Sequence, residues 1–261
     1  MRLVIKPKKH LGQHFLKDEN IAQKIVGSLT GNGYDEVLEI GSGTGALTKW
    51  LMKDGKWKLH CIETDAEAVS YLKSQHPNLD IIEGDFLKFP LNAIPSAGSW
   101  RGAIIGNFPY NISSQILFKV YEHRDQIPEV VGMLQKEVAE RISTKPGSKT
   151  YGILSVLLQA FYSIEYLFTV SEQVFTPIPK VKSAVIRMRR NDVQQLDCDE
   201  ILFKKVVKTS FNQRRKMLRN TMKPFISNST IITQHPDLFS KRPEQLSVSE
   251  FIELTHLIQT S

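Results

Sequence analysis

Short apolar runs alternate with stretches whose apolar residues recur at helical spacing over most of the chain. Runs such as "EVLEI", "KLHCIE" and "GAIIGN" have the length and composition of buried strands, and each precedes a helix-like segment. This alternation, from Glu36 to about Arg190, predicts βαβ units and a mostly parallel sheet. From Ile201 onward the spacing is helical only, and Ser247 and Glu250 stand at the spacing of a capping box that starts a helix.

The change of pattern predicts two domains. A polar linker, "RRNDVQQLDCDE", separates the alternating part from the helical part. We place the boundary near residue 192, with an α/β domain at 1–191 that carries a basic N-terminal arm and a helical domain at 192–261. A chain of 261 residues is long enough for one medium and one small domain.

The composition of the chain indicates a polyanionic partner and gives no sign of metal or disulfide chemistry. Lys and Arg outnumber Asp and Glu by 34 to 27, an excess that is common among proteins that bind nucleic acid. The two cysteines form no CxxC or Cys/His cluster, so we expect neither a disulfide nor a metal. The N-terminus lacks the apolar core of a secretory signal, and no apolar stretch is long enough to span a bilayer. We therefore expect a cytoplasmic protein without a membrane partner.

A glycine-rich turn follows the first predicted strand of the alternating part. "EIGSGTGALT" places Gly41, Gly43 and Gly45 between a strand and a helix, where glycine permits a tight turn and close approach of a ligand. Glu63 ends the next strand, 22 residues after Gly41, where an acid binds the hydroxyls of a ribose. Because Gly41-x-Gly43-x-x-Ala46 also matches the dinucleotide fingerprint, this turn alone does not distinguish NAD from S-adenosylmethionine.

The next two predicted strand ends favour S-adenosylmethionine. The third strand ends in "EGDF", where the carboxylate of Asp85 can accept a hydrogen bond from the amine of an adenine. The fourth strand ends in Asn107, Phe108, Pro109 and Tyr110. Ligands of open parallel sheets bind outside the carboxyl ends of the strands, and an NAD enzyme has no use for the fourth group. This order of groups resembles the fold of methyltransferases that use S-adenosylmethionine.

The Asn-x-Pro-Tyr group suits methylation of an adenine amine. The N6 nitrogen is a poor nucleophile because its lone pair is delocalised into the ring, so two acceptors facing its hydrogens promote its attack on a methyl group. The side-chain oxygen of Asn107 is one acceptor, and the carbonyl of Phe108 or of Pro109 is the other. Tyr110 offers a ring on which the base can stack, which contributes roughly 1–3 kcal/mol. We therefore assign catalysis to Asn107, Pro109 and Tyr110.

The sequence resembles the ribosomal RNA adenine dimethyltransferases, and within them the bacterial small-subunit enzymes. The resemblance extends from about Lys8 to Asn220 and is carried by "KKHLGQHFLKDENI", "VLEIGSGTGALT", "EGDFL", "GNFPYNISSQIL", "MLQKEVAERI", "VFTPIPKVKSAVIRM" and "FNQRRKMLRN". It implies the Rossmann-like α/β fold of a methyltransferase that depends on S-adenosylmethionine, with a small C-terminal helical domain.

The resemblance also implies cofactor contacts in the "GQHFL" segment. That segment lies over the cofactor in the family, which assigns contacts to His14 and Leu16. The family commonly has Asn in place of His14 and Leu in place of Phe108. His14 keeps the capacity to form hydrogen bonds, and Phe108 keeps its backbone carbonyl but has a bulkier ring that could alter the pocket wall.

At the strand ends, the resemblance implies four further contacts. Gly41 lies under the methionine part of the cofactor, Glu63 binds the ribose and Asp85 binds the adenine amine. Asn107 lies between the cofactor and the target amine. The implied reaction is the double methylation, on N6, of two adjacent adenosines near the 3′ end of 16S ribosomal RNA in an immature small subunit.

The predicted helical domain carries a dense basic segment. Between Ile201 and Pro236 there are eight Lys or Arg and no Asp or Glu. Its densest part is "FNQRRKMLRN", in which helical spacing would place Arg215 and Arg219 on one face. Together with the resemblance, this excess predicts salt-dependent contacts with RNA phosphates, made by Arg214, Arg215, Lys216 and Arg219.

Two other segments and three other functions stay open at this point. Residues 143–152, "STKPGSKTYG", predict a loop that either admits the target base or is a plain surface loop, and "FTPIPKV" is either a pocket wall opposite Tyr110 or a rigid connection. The alternative functions are methylation of large-subunit RNA, a ribosome-assembly role for which methylation is incidental, and methylation of DNA adenine. "TPIPKVKSAV" and "FNQRRKMLRN" favour the small-subunit enzyme over the first. Nothing in the sequence indicates an obligate dimer, so we expect a monomer.

Overall fold

The computed structural model describes residues 5–226 and 230–260, and its contacts divide the chain into two compact units. The first unit contains the residues up to Ala139 together with Ile164–Arg190, and the second contains Glu140–Ser163 together with the residues from Asn191 onward. Residues 1–4, 227–229 and 261, which the predicted domains include, lie outside the described residues.

A single large sheet dominates the first unit. The described strands are β1 (Phe15–Leu16), β2 (Glu36–Ile40), β3 (Lys58–Glu63), β4 (Asp80–Glu83), β5 (Ala103–Asn107), β6 (Glu129–Gln135), β7 (Tyr162–Val170), β8 (Phe175–Thr176) and β9 (Ser183–Arg190). Seven of them pair in the order β4–β3–β2–β5–β6–β9–β7. The pairs from β4 across to β6 are parallel, and β9 is antiparallel to β6. The predicted mostly parallel sheet is therefore confirmed.

Helices alternate with these strands, as the apolar spacing predicts. The described helices are α1 (Glu19–Val26), α2 (Thr48–Asp54), α3 (Ala66–Gln75), α4 (Ser113–Glu122), α5 (Lys136–Ser143), α6 (Ile153–Gln159), α7 (Glu200–Asn212), α8 (Leu218–Thr221), α9 (Thr230–Gln234), α10 (Pro236–Ser240) and α11 (Val248–Gln259). Asp18 and Asp65 cap the starts of α1 and α3, where their carboxylates accept the backbone N–H groups of Ile21 and Glu67.

The parallel register aligns the strand ends on which function depends. Ile40 of β2 lies opposite Ile62 of β3, and Ile62 lies opposite Ile82 of β4. On the other side of β2, Glu39 lies opposite Ile105 of β5. The carboxyl ends of these four strands therefore meet at one edge of the sheet.

The short strands β1 and β8 form a separate antiparallel pair. Phe15 lies opposite Thr176, and Leu16 lies opposite Phe175. This pairing fixes the N-terminal segment to the connection that precedes β9. Two-residue strands leave no periodic signal, so the sequence did not predict them.

The second unit is helical and has its own core. Helix α7 packs against α6 and α11, and the ring of Phe211 lies 6.2 Å from that of Tyr151 and 5.9 Å from that of Phe251. The predicted capping box of α11 is confirmed, since Ser247 Oγ accepts the Glu250 N–H. Because α6 packs on α7 and α11, residues 140–163 belong with this unit and not with the predicted domain at 1–191.

Candidate active site

Four strand ends converge on one cleft in the first unit. The carboxyl ends of β2, β3, β4 and β5 supply four residues that line a cavity of about 200 Å³. Glu63 and Asn107 are the last residues of β3 and β5, and Gly41 and Asp85 lie just after β2 and β4. The N-terminal segment, from His10 to Phe15, contributes another part of the wall. The predicted convergence of these groups is therefore present in the structure.

The glycine turn after β2 has the backbone conformation for which glycine is needed. Gly41, Gly43 and Gly45 have φ values of 70°, 52° and 80°, a region that other residues rarely adopt. A Cβ atom on Gly43 would also lie 3.1 Å from the ring of Phe15. The turn therefore leaves room for the N-terminal segment to lie directly over it.

Glu63 is buried, and backbone groups fix its orientation. One carboxylate oxygen accepts the N–H of Gly43 at 2.8 Å, and the other accepts the N–H of Asp65 at 2.9 Å. Burial raises the pKa of Glu63, and these hydrogen bonds oppose the rise. Each carboxylate oxygen has a second lone pair, so the side chain can still accept two hydroxyl groups.

Asp85 begins a tight turn after β4. Its Oδ1 accepts the N–H of Leu87 at 2.9 Å, while its Oδ2 has no hydrogen-bond partner within residues 5–226 and 230–260. The side chain is half-buried and lines the cleft. It therefore offers an acceptor to a ligand amine.

The N-terminal segment holds the side-chain amide of Asn107. Its Nδ2 donates to the carbonyl of His14 at 2.8 Å, and no described residue donates to its Oδ1. The carbonyl of Pro109 accepts the N–H of Ile112 at 3.1 Å, whereas no described group donates to the carbonyl of Phe108. Asn107 Oδ1 and the Phe108 carbonyl therefore accept no hydrogen bond from a described residue, and both are open to an incoming amine.

The ring of Phe108 is buried and packs against two glycines of the sheet. The side chain is fully buried, and a Cβ atom on Gly132 would lie only 2.5 Å from the ring. A Cβ atom on Gly106 would lie 3.0 Å from it. Gly106 and Gly132 therefore leave room for the ring, and the effect of this bulkier residue on the pocket wall stays a prediction.

Tyr110 is held between the N-terminal segment and β9. Its ring stacks on the imidazole of His14, with centroids 5.3 Å apart and planes inclined by 26°. Its hydroxyl forms a hydrogen bond with Ser183 Oγ, and burial raises its pKa. The ring of His14 is fixed in turn by a 2.8 Å contact between Nδ1 and the carbonyl of Pro177. His14 thus lines the cleft and also covers one face of Tyr110.

The rest of the N-terminal segment is bound to the start of α3. Lys8 Nζ lies 2.6 Å from one oxygen of Asp65, and Gln13 Nε2 donates to the other at 3.0 Å. Burial alone would raise the pKa of Asp65, but these two contacts outweigh it and hold the pKa below its usual value. Lys8 is therefore engaged within the protein and is not a free cation of the basic arm.

Leu16 is the predicted cofactor contact that lies outside the main cleft. It is buried in β1 and lines a smaller cavity of about 20 Å³, together with Gly41 and Asn107. The side chain therefore packs beside the glycine turn.

The basic segment of the second unit does not form one helical face: it consists of a turn at 213–217 and the first residues of α8, and together these are called the basic turn. Helix α7 ends at Asn212, and α8 begins only at Leu218. The expectation that Arg215 and Arg219 share a helical face is therefore wrong.

The four basic residues differ in their surroundings. Arg214 Nη2 donates to the carbonyl of Ser148 at 3.2 Å, and its Nε lies 3.7 Å from Glu244 Oε2. The side chains of the other three are exposed and have no partner in the part of the chain that the structure describes: Arg215, Lys216 and Arg219. Arg214 therefore holds the loop at 144–152, which lies within the segment 143–152 predicted from the sequence. Within this loop, the Gly147 N–H donates to the Glu244 carbonyl.

Three residues that hold parts of the candidate site escaped the sequence analysis because their partners are distant in sequence. Ser183 lies 73 positions from Tyr110, and Asp65 lies 57 positions from Lys8. Lys119 of α4 lies about 30 positions from the carbonyls that it binds. The one signal in the sequence was the acid of "ETD", two residues after the predicted ribose-binding position.

In the described ranges, no three His, Cys, Asp or Glu side chains are grouped so that they could hold a metal ion. No described helix has the length and apolar character needed to cross a bilayer.

Comparison with known proteins places the chain in a family. The family described as Ribosomal RNA adenine dimethylase matches residues 4–256. The chain is 57% identical over 260 residues to "Ribosomal RNA small subunit methyltransferase A" of Cytophaga hutchinsonii, covering 97% of this chain and 98% of the relative. It is 59% identical over 261 residues to the protein of that name from Parabacteroides distasonis, covering 99% and 96%. The crystal structure of a dimethyladenosine transferase from Plasmodium falciparum has a TM-score of 0.80 at 25% identity, covering 95% of this chain and 98% of that one. The chain therefore belongs to the ribosomal RNA adenine dimethylase family.

Proposed function

We propose that this protein transfers methyl groups from S-adenosylmethionine to N6 of two adjacent adenosines near the 3′ end of 16S ribosomal RNA, twice on each. The observation that carries the proposal is the orientation of Asn107. Its Nδ2 is occupied by the His14 carbonyl, which leaves Oδ1 to accept a hydrogen from an amine. An amide held in this way is preorganised for the developing charge on the nucleophile.

The donor set of the cleft fits S-adenosylmethionine. Glu63 has free lone pairs for the two ribose hydroxyls, and Asp85 Oδ2 is available for the adenine amine. Gly41 carries no side chain where the methionine part would lie, and His14 closes the cleft from above. When bound, the sulfonium supplies an activated methyl group with a good leaving group, so the protein needs no strong base.

The residues after β5 would orient the target amine. Asn107 Oδ1 and the Phe108 carbonyl accept its two hydrogens, which favours the pyramidal geometry that attack requires. Pro109 fixes the backbone that presents the second carbonyl. The target base would stack on the face of Tyr110 that His14 leaves uncovered, and it must leave its own stack to reach that position.

RNA is proposed to bind the basic turn of the second unit. Arg215, Lys216 and Arg219 are exposed and unpaired within the described residues, so their charges are available to phosphates. Arg214 would act mainly by holding the loop at 144–152 through Ser148. The proposed substrate is an immature small subunit. The protein is proposed to bind it as a monomer, and analytical ultracentrifugation of the free protein measures this oligomeric state.

Transfer of labelled methyl from S-adenosylmethionine to immature small subunits tests the proposal. Nucleoside analysis should recover the label as N6,N6-dimethyladenosine from the 3′ end of 16S RNA. Large subunits and duplex DNA form the parallel arms. Label in large-subunit RNA or in DNA, and none in the small subunit, would contradict the proposal in favour of the corresponding alternative.

The assembly role is tested with a catalytically impaired variant. Asn107→Ala protein should bind immature subunits as the unchanged protein does but should not methylate them. If cells that lack the enzyme assemble subunits normally with this variant, binding and not methylation is the primary role.

A further inference from the structure

Lys119 binds the turn that carries Asp85. It extends from α4, and its Nζ donates to the carbonyl of Phe86 at 2.5 Å and to that of Phe89 at 2.5 Å, with a longer contact of 3.4 Å to Leu87. The same ammonium lies 4.7 Å from the centroid of the Phe86 ring. One side chain therefore binds three backbone carbonyls and one ring of a single turn.

The fold of the turn explains why these carbonyls need a cation. The N–H groups of Lys88 and Phe89 donate to the Asp85 carbonyl at 3.0 and 2.9 Å, and the Leu87 N–H donates to Asp85 Oδ1. The turn satisfies its N–H groups on Asp85 and leaves its carbonyls to converge on Lys119. Burial lowers the pKa of Lys119, while the charges of Asp85 and Glu122 oppose that shift.

We propose that Lys119 is the positioning residue for the adenine end of the cofactor. It does not line the cleft, so it acts through the turn, by holding Asp85 where its free Oδ2 can accept the adenine amine. The proposal rests on the proposed binding of S-adenosylmethionine and names the residue that sets its affinity. Loss of Lys119 frees the three carbonyls and lets the Asp85 carboxylate sample other orientations.

The first test measures binding of S-adenosylhomocysteine by calorimetry. Lys119→Met keeps the apolar stem and removes the donor, and we expect its Kd to rise about tenfold. Lys88→Met is the matched control, because it removes a positive charge from the same turn where the side chain is exposed. Its Kd should stay within about twofold of the unchanged protein. In methyl transfer, Lys119→Met should raise the KM for S-adenosylmethionine and leave kcat unchanged.

The second test separates positioning from a general loss of stability. The analogue S-inosylhomocysteine lacks the adenine amine, so Lys119→Met should weaken it less than twofold while it weakens S-adenosylhomocysteine about tenfold. In an Asp85→Ala background, Lys119→Met should have no further effect on either ligand. Equal weakening of both ligands, or equal effects of Lys119→Met and Lys88→Met, would overturn the proposal. Failure of the unchanged protein to bind S-adenosylhomocysteine would instead contradict the proposed function.

Discussion

The cleft of the first unit and the basic turn of the second unit hold their polar groups in opposite ways. In the cleft, Glu63 is buried and fixed by two backbone N–H groups, and Asn107 is fixed by a backbone carbonyl. In the basic turn, Arg215, Lys216 and Arg219 are exposed and have no partner among the described residues. One region fixes its side chains before a ligand arrives, and the other leaves them free.

The difference is the one that the two proposed functions require. Methyl transfer depends on atoms placed within a fraction of an ångström, so hydrogen bonds in a water-poor cleft fix the acceptors in advance. Phosphate contacts act over longer distances and tolerate motion, because most of their free energy comes from counterion release. Substitutions in the two regions should therefore differ in size and in kind.

The largest effect is expected at Asn107. Asn107→Ala removes the acceptor Oδ1 and frees the His14 carbonyl, so we expect methyl transfer to fall ~10²–10³-fold. Single-turnover transfer of labelled methyl measures this, and RNA affinity should stay unchanged. Asn111→Ala, in the same segment, is the control and should retain most of the rate. A fall of less than tenfold for Asn107→Ala would contradict the role given to its amide.

A buried acid of the cleft region should make stability depend on pH. Burial raises the pKa of Glu39 to about 7, although Thr48 Oγ1 donates to it at 2.7 Å. The folded protein therefore binds this proton more tightly than the unfolded chain, where the pKa is about 4.3. The contribution of Glu39 to stability is full below about pH 4.3 and is lost as the pH rises through about 7.

Glu39→Gln measures that loss. From pH 5 to pH 8, the free energy of unfolding of Glu39→Gln should rise by about 2 to 3 kcal/mol relative to the unchanged protein. Urea unfolding at the two pH values checks this, and exposed Glu253→Gln is the control. A difference that does not change with pH would show that Glu39 does not titrate in this range.

Overpacking the core below the cleft should lower the free energy of unfolding by almost as much. Gly132→Ala places a Cβ atom 2.5 Å from the ring of Phe108, and such overpacking costs about 1 to 3 kcal/mol. Thermal unfolding measures the loss. Phe108→Leu in the same chain should restore most of it because the shorter side chain vacates the space. If the double variant is no more stable than Gly132→Ala, the ring contact is not the cause.

The smallest single effects are expected in the basic turn. Arg215→Gln, Lys216→Gln and Arg219→Gln should each weaken RNA binding a few-fold, lower the salt slope by about one and leave kcat unchanged. Filter binding at several salt concentrations checks this, with exposed Lys73→Gln as the control. A salt slope that is unchanged in all three variants would exclude the turn from the RNA interface.

The sequence by itself determined the sheet and the positions of the site. Alternating apolar runs are a local consequence of burying each strand and helix, so they predict the elements and the parallel sheet. Parallel strands end at one edge, and for that reason Gly41, Glu63, Asp85 and Asn107 could be placed in one cleft before the structure was known.

Only the tertiary structure decided what holds those groups. The contacts of Lys8 with Asp65, of Ser183 with Tyr110 and of Lys119 with the Asp85 turn join residues about 30 to 73 positions apart. The spacing of apolar residues likewise did not predict that α7 ends at Asn212. That helix end is what separates Arg215 from Arg219. Periodicity records which face of an element is buried, but a polar contact depends on which other element packs there, and local sequence does not encode that choice.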